Sequence, residues 1–236
     1  MIEAYITNLG KYVEGELCGE YLRLPAEKED VQALLSRIGV DGVIYEETFI
    51  TDYETKIFGL CHNLGEHESI DELNHLANLL EDMQDWEIEK FEAAIAYGEY
   101  TSSVKDLINL AQNLDCFDLY VEVNNEEDLG RYYIDELCAL EIPEHIEQYF
   151  DYEAYGRDID GGADGVFLKD GGYITNSGGF IEHYGGRDDL PEEHRIFAYP
   201  DPPDKMPMAK QLEMYGKMAL AQTATNKLTP ARDERA

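Results

Sequence analysis

The segment CHNLGEHESIDELNH, residues 61–75, carries residue types that could bind a metal ion. His67, Asp71 and His75 are spaced four residues apart, so on one continuous helix they would share a face. Imidazole and carboxylate ligands in that arrangement could hold Zn²⁺ or Mn²⁺ for hydrolytic chemistry. Ser69, however, predicts a helix N-terminus after His67, which places His67 off that helix. We therefore favour exposed histidines near a helix start and expect no metal ligands.

Other catalytic signatures do not occur in the sequence. It contains no HExxH zinc motif, no P-loop and no GxSxG nucleophile elbow. No glycine cluster follows a strong strand and opens a helix, as a phosphate cradle would, so turns are the favoured interpretation. Two groups of carboxylates, Glu46–Glu47 and Glu126–Glu127–Asp128, could bind Ca²⁺, but no DxDxDG loop accompanies them. We expect a protein that is not an enzyme, with no catalytic residues and no cofactor.

The segment EDMQDWEIEKFEAAIAYGEY, residues 81–100, is an amphipathic helix pattern with an unusual charge balance. It holds seven carboxylates and a single cation, Lys90. Like charges three or four residues apart on a helix repel each other, each exposed pair by a few tenths of a kcal/mol. A solvated face explains surface carboxylates but not the missing lysines. A partner with a basic groove would relieve the repulsion on binding.

The acidity is concentrated in the first two-thirds of the chain. The formal net charge is −33, and residues 1–160 hold 39 Asp and Glu against 9 Lys and Arg. Residues 161–236 hold 12 against 9. So negative a field repels DNA, RNA and anionic membranes and attracts proteins with basic clefts. We expect neither direct nucleic-acid binding nor membrane binding.

Composition indicates a folded protein of the cytoplasm. The 236 residues are 44% hydrophobic, which is enough to bury real cores. No run of about 18 apolar residues exists to span a membrane, and the start lacks the features of a signal peptide. The four cysteines, Cys18, Cys61, Cys116 and Cys138, form no CxxC pair and are expected to be buried free thiols.

Residue patterns predict an α+β fold built as an elongated chain of small modules. Residues 1–61 form an α+β module, with strands at 3–9, 17–24 and 43–53 and a helix whose apolar face is Val31, Leu34, Leu35 and Ile38. Residues 62–114 form a helical module, whose three helices are capped by Ser69 (in a capping box with Glu72), Asp85 and Ser103.

A second α+β module, residues 115–160, contains a strand at 116–123, a helix capped by Asn124 or Asn125 and a short helix after Pro143. Residues 161–236 form a C-terminal extension. Its predicted parts are a hairpin with strands at 173–175 and 180–184, a Pro-rich break, and a basic helical tail from Met208.

The negative charge of the acidic body, residues 1–160, can be compared with the charge per unit length of duplex DNA. Duplex DNA carries about one negative charge per 1.7 Å of axis, so two copies of the acidic body would match roughly 100 Å, or about 30 base pairs. An elongated string of modules has the shape that such mimicry needs.

Three ordered blocks of the sequence resemble the ArdA antirestriction proteins. They are YITNLGKYVEGELCGEYLRLP, ELNHLANLLEDM…FEAAIAYGE, and LGRYYIDELCALEIPEHIEQYFDYEAYGRD at 129–158. The likeness covers roughly residues 3–160. It implies a curved homodimer that mimics bent B-form DNA in the bacterial cytoplasm. It also implies binding to the DNA groove of type I restriction–modification enzymes, at their specificity and methyltransferase subunits, and so a block of restriction and modification of incoming mobile DNA.

The resemblance also suggests roles for particular residues. The block at 129–144 is similar to the family's antirestriction motif, which places Tyr133, Ile134, Leu137 and Leu140 at a dimer interface. Cys138 departs from the small residue, often Gly, expected at its position. We assign the DNA-mimic surface to sixteen carboxylates: Asp71, Glu72, Glu81, Asp82, Asp85, Glu87, Glu89, Glu92, Glu99, Asp106, Asp115, Asp118, Glu122, Glu126, Glu127 and Asp128.

Two alternatives remain open at this point. The chain could be an acidic adaptor or inhibitor of another basic protein, such as a CRISPR nuclease. It could also be a metal-dependent hydrolase that uses the cluster at 61–75, which predicts stoichiometric metal in the purified protein.

Overall fold

A computed structural model describes residues 2–162 and 164–201. Within them two three-stranded antiparallel sheets and eight α-helices form an α+β fold, the class that the sequence predicts. The first sheet has the order β2-β1-β3, with β1 (Ile2–Asn8) between β2 (Gly19–Leu24) and β3 (Thr48–Thr55). The alternating apolar residues of β1 place Ile2, Ala4 and Ile6 in the core.

Two helices accompany this sheet: α1 (Leu9–Val13) and α2 (Lys28–Ile38). The four apolar residues predicted for the inner face of α2 are all buried. The helix ends at Gly39, whose φ of 76° is left-handed and suits a residue without a side chain. The 3.6-residue apolar period thus fixes which face of α2 packs against the sheet.

Three helices follow: α3 (Ile70–Glu81), α4 (Asp85–Tyr97) and α5 (Val104–Ala111). Ser69 and Ser103 cap α3 and α5 through their side chains, as predicted. The predicted caps differ in two details. Gln84, not Asp85, is the N-cap of α4, and the Glu72 side chain does not return to Ser69 but points into the protein.

The second sheet has the order β4-β6-β5, with β4 (Phe117–Tyr120), β5 (Gly165–Phe167) and β6 (Tyr173–Asn176). The predicted strand at 180–184 is wrong, because those residues are not in a strand. β6 pairs instead with β4 and β5, burying Tyr173 and Ile174. The basic tail and most of the Pro-rich break lie outside the described residues.

The remaining helices are α6 (Glu126–Arg131), α7 (Glu144–Glu147) and α8 (Tyr152–Asp160), and a π-helical turn (Tyr132–Glu136) continues α6. Asn125 caps α6. α6 and α8 cross closely at Gly130 and Gly156. A Cβ atom on Gly156 would lie 1.7 Å from the carbonyl oxygen of Glu126, so the crossing requires glycine.

One hydrophobic core connects the first sheet to α3, α4 and α5 and to residues as late as Ile196. A second, small cluster joins Val123, Leu129 and Tyr173 beside α6 and α8. The module boundaries proposed from the sequence stay a prediction. The buried residues before and after the proposed boundary at residue 61 belong to the same core. In the described part of the chain, no helix is long and apolar enough to cross a membrane.

Candidate functional site

Four carboxylates around the start of α4 are exposed and have no ion pair within the part of the chain that the structure describes. Glu81, Asp82, Asp85 and Glu89 form no ion pair or side-chain hydrogen bond with any described residue. We call these four residues the acidic row. The single Trp of the chain, Trp86, lies beside them and is 62% exposed. The row is therefore an anionic surface whose charges nothing in the described protein neutralises.

Other carboxylates of the assigned surface have structural partners. Glu87 accepts a hydrogen bond from the Gln84 N–H at the start of α4. Asp106 and Asp128 bond with the caps of α5 and α6, at Ser103 and Asn125 respectively. These side chains stabilise helix termini. They do so while remaining partly exposed.

The rest of the assigned set lies at different depths. Glu99, Asp115, Asp118, Glu122 and Glu127 are exposed, whereas Glu92 and Glu126 are half-buried. Among them, Glu99 accepts from the Asn176 side chain and Glu127 pairs with Arg131. Glu72 is an exception, because it is only 6% exposed and is absent from the surface.

A segment that sequence reasoning missed, residues 177–199, runs from β6 back over α5 and α3 to the first sheet. We call it the strap. Asn113 donates to the Ile181 carbonyl at 2.8 Å and accepts from the Ile181 N–H at 2.9 Å. Asn109, one helical turn earlier, makes the same pair of bonds to Tyr184 at 2.8 and 2.9 Å. Two buried side-chain amides, Asn109 on α5 and Asn113 just after it, thus bind the main chain of the strap.

Glu72 anchors the middle of the strap. Its two carboxylate oxygens accept from the Tyr184 hydroxyl at 3.0 Å and from Arg187 Nε at 2.9 Å. Burial and the adjacent Glu72 charge raise the pKa of Tyr184, which keeps its hydroxyl protonated as the donor. A buried carboxylate is tolerated here because both its oxygens are satisfied.

Asp71 anchors the end of the strap. Its Oδ1 accepts from the main-chain N–H groups of Ile196 and Phe197 at 2.8 and 2.6 Å. Beyond them the Tyr199 hydroxyl donates to the Glu46 carbonyl at 2.9 Å, beside the first sheet. The strap therefore ties α3 and α5 to the N-terminal part of the chain.

The possible metal ligands at 61–75 do not converge. The Asp71 carboxylate is occupied by the strap, and the His67 ring lies next to Phe49 instead. His75 is buried, with its ring centroid 4.6 Å from that of His194 on the strap. Its Nδ1 has no hydrogen-bond partner among the described residues, and burial lowers its pKa. Among the described residues no group of three or more His, Cys, Asp or Glu could hold a metal ion.

The four cysteines are free thiols, as expected, but not all are buried. Cys116 is buried, Cys18 and Cys61 are half-buried, and Cys138 is exposed. Cys138 has a φ of 52°, a left-handed conformation that strains residues with a Cβ atom. This geometry explains physically why a glycine suits its position.

The residues assigned to a dimer contact divide into two kinds. Leu137 and Leu140 are exposed, at 49% and 45%. Ile134 is only 7% exposed and Tyr133 packs against the small cluster beside α6, so both already have contacts within one chain. Ile146 and Tyr149, which sequence reasoning did not select, are exposed apolar residues of the same region.

The described residues thus form a folded scaffold whose exposed carboxylates on and beside α4 make no ion pair among those residues. A family model, antirestriction protein (ArdA), matches residues 4–175 of this chain. The chain therefore belongs to the ArdA antirestriction family, as the sequence blocks suggested, and an antirestriction function follows from that membership. The family is one of inhibitors rather than enzymes. A comparison with curated proteins finds no match.

Proposed function

We propose that this protein is a DNA mimic that occupies the DNA-binding groove of type I restriction–modification enzymes. The observation that carries the proposal is the acidic row, four exposed carboxylates without a counter-ion among the described residues. A groove that neutralises phosphates with Lys and Arg would neutralise these carboxylates in the same way. Binding would relieve the mutual repulsion of the four carboxylates, which destabilises the isolated protein.

The sites of contact on the enzyme would be its specificity and methyltransferase subunits. Occupying them excludes DNA, so both restriction and modification of incoming mobile DNA would be blocked without any chemical step. The protein would act in the cytoplasm of the bacterial host, where these enzymes meet that DNA. Neither a cofactor nor a metal enters this mechanism.

The proposed active form is a homodimer that extends the acidic surface. Leu137 and Leu140, together with Ile146 and Tyr149, expose apolar area that a second copy could cover. Each protomer carries a formal charge of −33, so apolar contact would have to overcome repulsion between the copies. We expect Leu137→Ser with Leu140→Ser to convert the dimer to a monomer in sedimentation experiments.

The proposal is tested by displacement of a labelled recognition-site duplex from a type I methyltransferase complex. We expect stoichiometric displacement at roughly 0.1 M salt that weakens as salt rises, because both competitors bind through charge. A folded, dimeric protein that displaced no duplex from several type I enzymes would contradict the proposal. The acidic row would then serve another basic protein, the adaptor role that its charge equally allows.

A further inference from the structure

An apolar cleft of about 830 Å³ lies next to the acidic face of α4. One wall is the turn before the 3₁₀ helix at Leu60–Asn63, a second is α4, and a third is β4 with the β5–β6 turn. The apolar lining includes Phe58, Val121 and Val166, which are 66%, 54% and 39% exposed. Mimicry of phosphate charge alone does not require an exposed apolar surface.

Hydrogen bonds hold the walls of the cleft in place. Glu92, on α4, accepts from the Phe58 main-chain N–H at 2.8 Å, which fixes the first wall to the second. Asn124 accepts from the Gly172 N–H at 3.1 Å, which fixes the β5–β6 turn. The cleft is therefore already formed in the free protein.

The charged groups of the lining are mostly acidic: Glu89, Glu92 and Asp170, against one cation, Lys169. Glu89 belongs both to this lining and to the acidic row. The cleft is thus continuous with the surface proposed to face the target enzyme. Its chemistry fits an apolar or aromatic side chain that is flanked by Lys or Arg.

We propose that the cleft receives such a side chain from the basic DNA-binding groove of the target enzyme. The proposal rests on the function proposed above and adds a second kind of contact to it. Charge pairs give affinity that falls steeply with salt, whereas buried apolar area does not. The cleft would supply the part of the binding that persists at high salt.

The test is calorimetric titration of the full chain into a type I methyltransferase complex without DNA, at roughly 0.1 M and 0.5 M salt. The test variant is Phe58→Ser with Val121→Ser, which removes exposed apolar groups and leaves every charge unchanged. The matched control is Val13→Ser with Leu17→Ser, at residues 77% and 70% exposed outside the cleft. Urea unfolding of each variant checks that the fold is kept.

At both salt concentrations we expect the control to bind as the wild type does and the cleft variant to bind about tenfold more weakly, because the apolar contribution does not depend on salt. From low to high salt all three proteins should lose affinity by the same factor, since their charges are the same. A cleft variant that follows the wild type at both salt concentrations overturns the proposal. Tighter binding by that variant also overturns it, because the cleft would then hold a competing segment of the chain itself. If the wild type fails to bind at either salt, the proposed function fails, and the enzyme is not the occupant.

Discussion

His75 is a buried side chain whose protonation opposes folding. Its ring lies against Tyr184 and His194 of the strap, Nδ1 lacks a partner among the described residues, and burial lowers its pKa. The unfolded chain, with a His pKa of about 6.5, therefore takes up a proton more readily than the folded one. The stability that the neutral ring contributes is present above about pH 6.5 and is lost as the pH falls below it.

We expect the free energy of unfolding to decrease by up to about 1 kcal/mol more in the wild type than in His75→Gln between pH 7 and roughly 5.5. Urea unfolding at the two pH values measures the difference. His62 is exposed, so His62→Gln should behave as the wild type does. Parallel losses in the wild type and His75→Gln would show that His75 takes up its proton equally in the folded and unfolded states.

Cys138 is a strained residue at the surface. Its φ of 52° costs an amino acid with a Cβ atom roughly 1 kcal/mol, and its exposed side chain contributes little packing. Cys138→Gly should raise the free energy of unfolding by up to about 1 kcal/mol, after the larger chain entropy of glycine is subtracted. Cys138→Ala keeps the Cβ and should gain nothing. An equal gain in both variants would attribute the effect to loss of the thiol.

At the scale of elements, the crossing of α6 and α8 depends on two glycines. Because a Cβ on Gly156 would overlap the Glu126 carbonyl, Gly156→Ala should force the helices apart and lower the free energy of unfolding by about 3 kcal/mol. The matched control is Gly162→Ala, whose Cβ would meet nothing closer than 3.4 Å. A Gly156→Ala protein as stable as the control in urea would mean that the crossing adjusts without cost.

The elements themselves were largely predictable, since they follow local rules. The inner face of α2 follows from its apolar period, and the starts of α3 and α5 follow from Ser69 and Ser103. The strap was not predictable, because its main chain bonds to side chains distant in sequence. Two asparagines four residues apart, Asn109 on α5 and Asn113 just after its end, were the available signal.

The sequence predicts that the candidate site is an acidic surface, but it does not predict which individual carboxylates are exposed. An excess of carboxylates at 81–89 identifies the acidic row, because no described cation is close enough to pair with it. Glu72 has the same residue type and helical spacing, yet it is buried beneath Tyr184 and Arg187. Composition cannot distinguish buried Glu72 from the exposed acidic row. Glu72 is buried because of a contact with Arg187, which lies more than a hundred residues later in the sequence.

For the whole molecule, the proposed mimicry predicts many weak contacts rather than one strong one. Glu89→Gln alone should weaken binding to a type I methyltransferase by less than about threefold. Neutralising all four residues of the acidic row to Gln or Asn should weaken it about tenfold and flatten the salt dependence. The measurement is duplex displacement at several salt concentrations.

The control for this prediction removes the same charge elsewhere. Glu16, Glu29, Asp188 and Glu193 are exposed carboxylates outside the assigned surface. Their fourfold neutralisation should have a clearly smaller effect than neutralisation of the acidic row. Equal effects would mean that net charge, rather than its placement on α4, governs binding.

The position of β6 in the chain determines when the second sheet can form during synthesis. β6 is the central strand of the second sheet, so β4, made more than fifty residues earlier, has no partner until residues 173–176 leave the ribosome. At typical elongation rates that wait is about 3–10 s. The strap follows still later, and only then are the apolar surfaces beneath Tyr184, Leu190 and Ile196 covered. The nascent chain thus exposes its anionic helices to the cell before its core is closed.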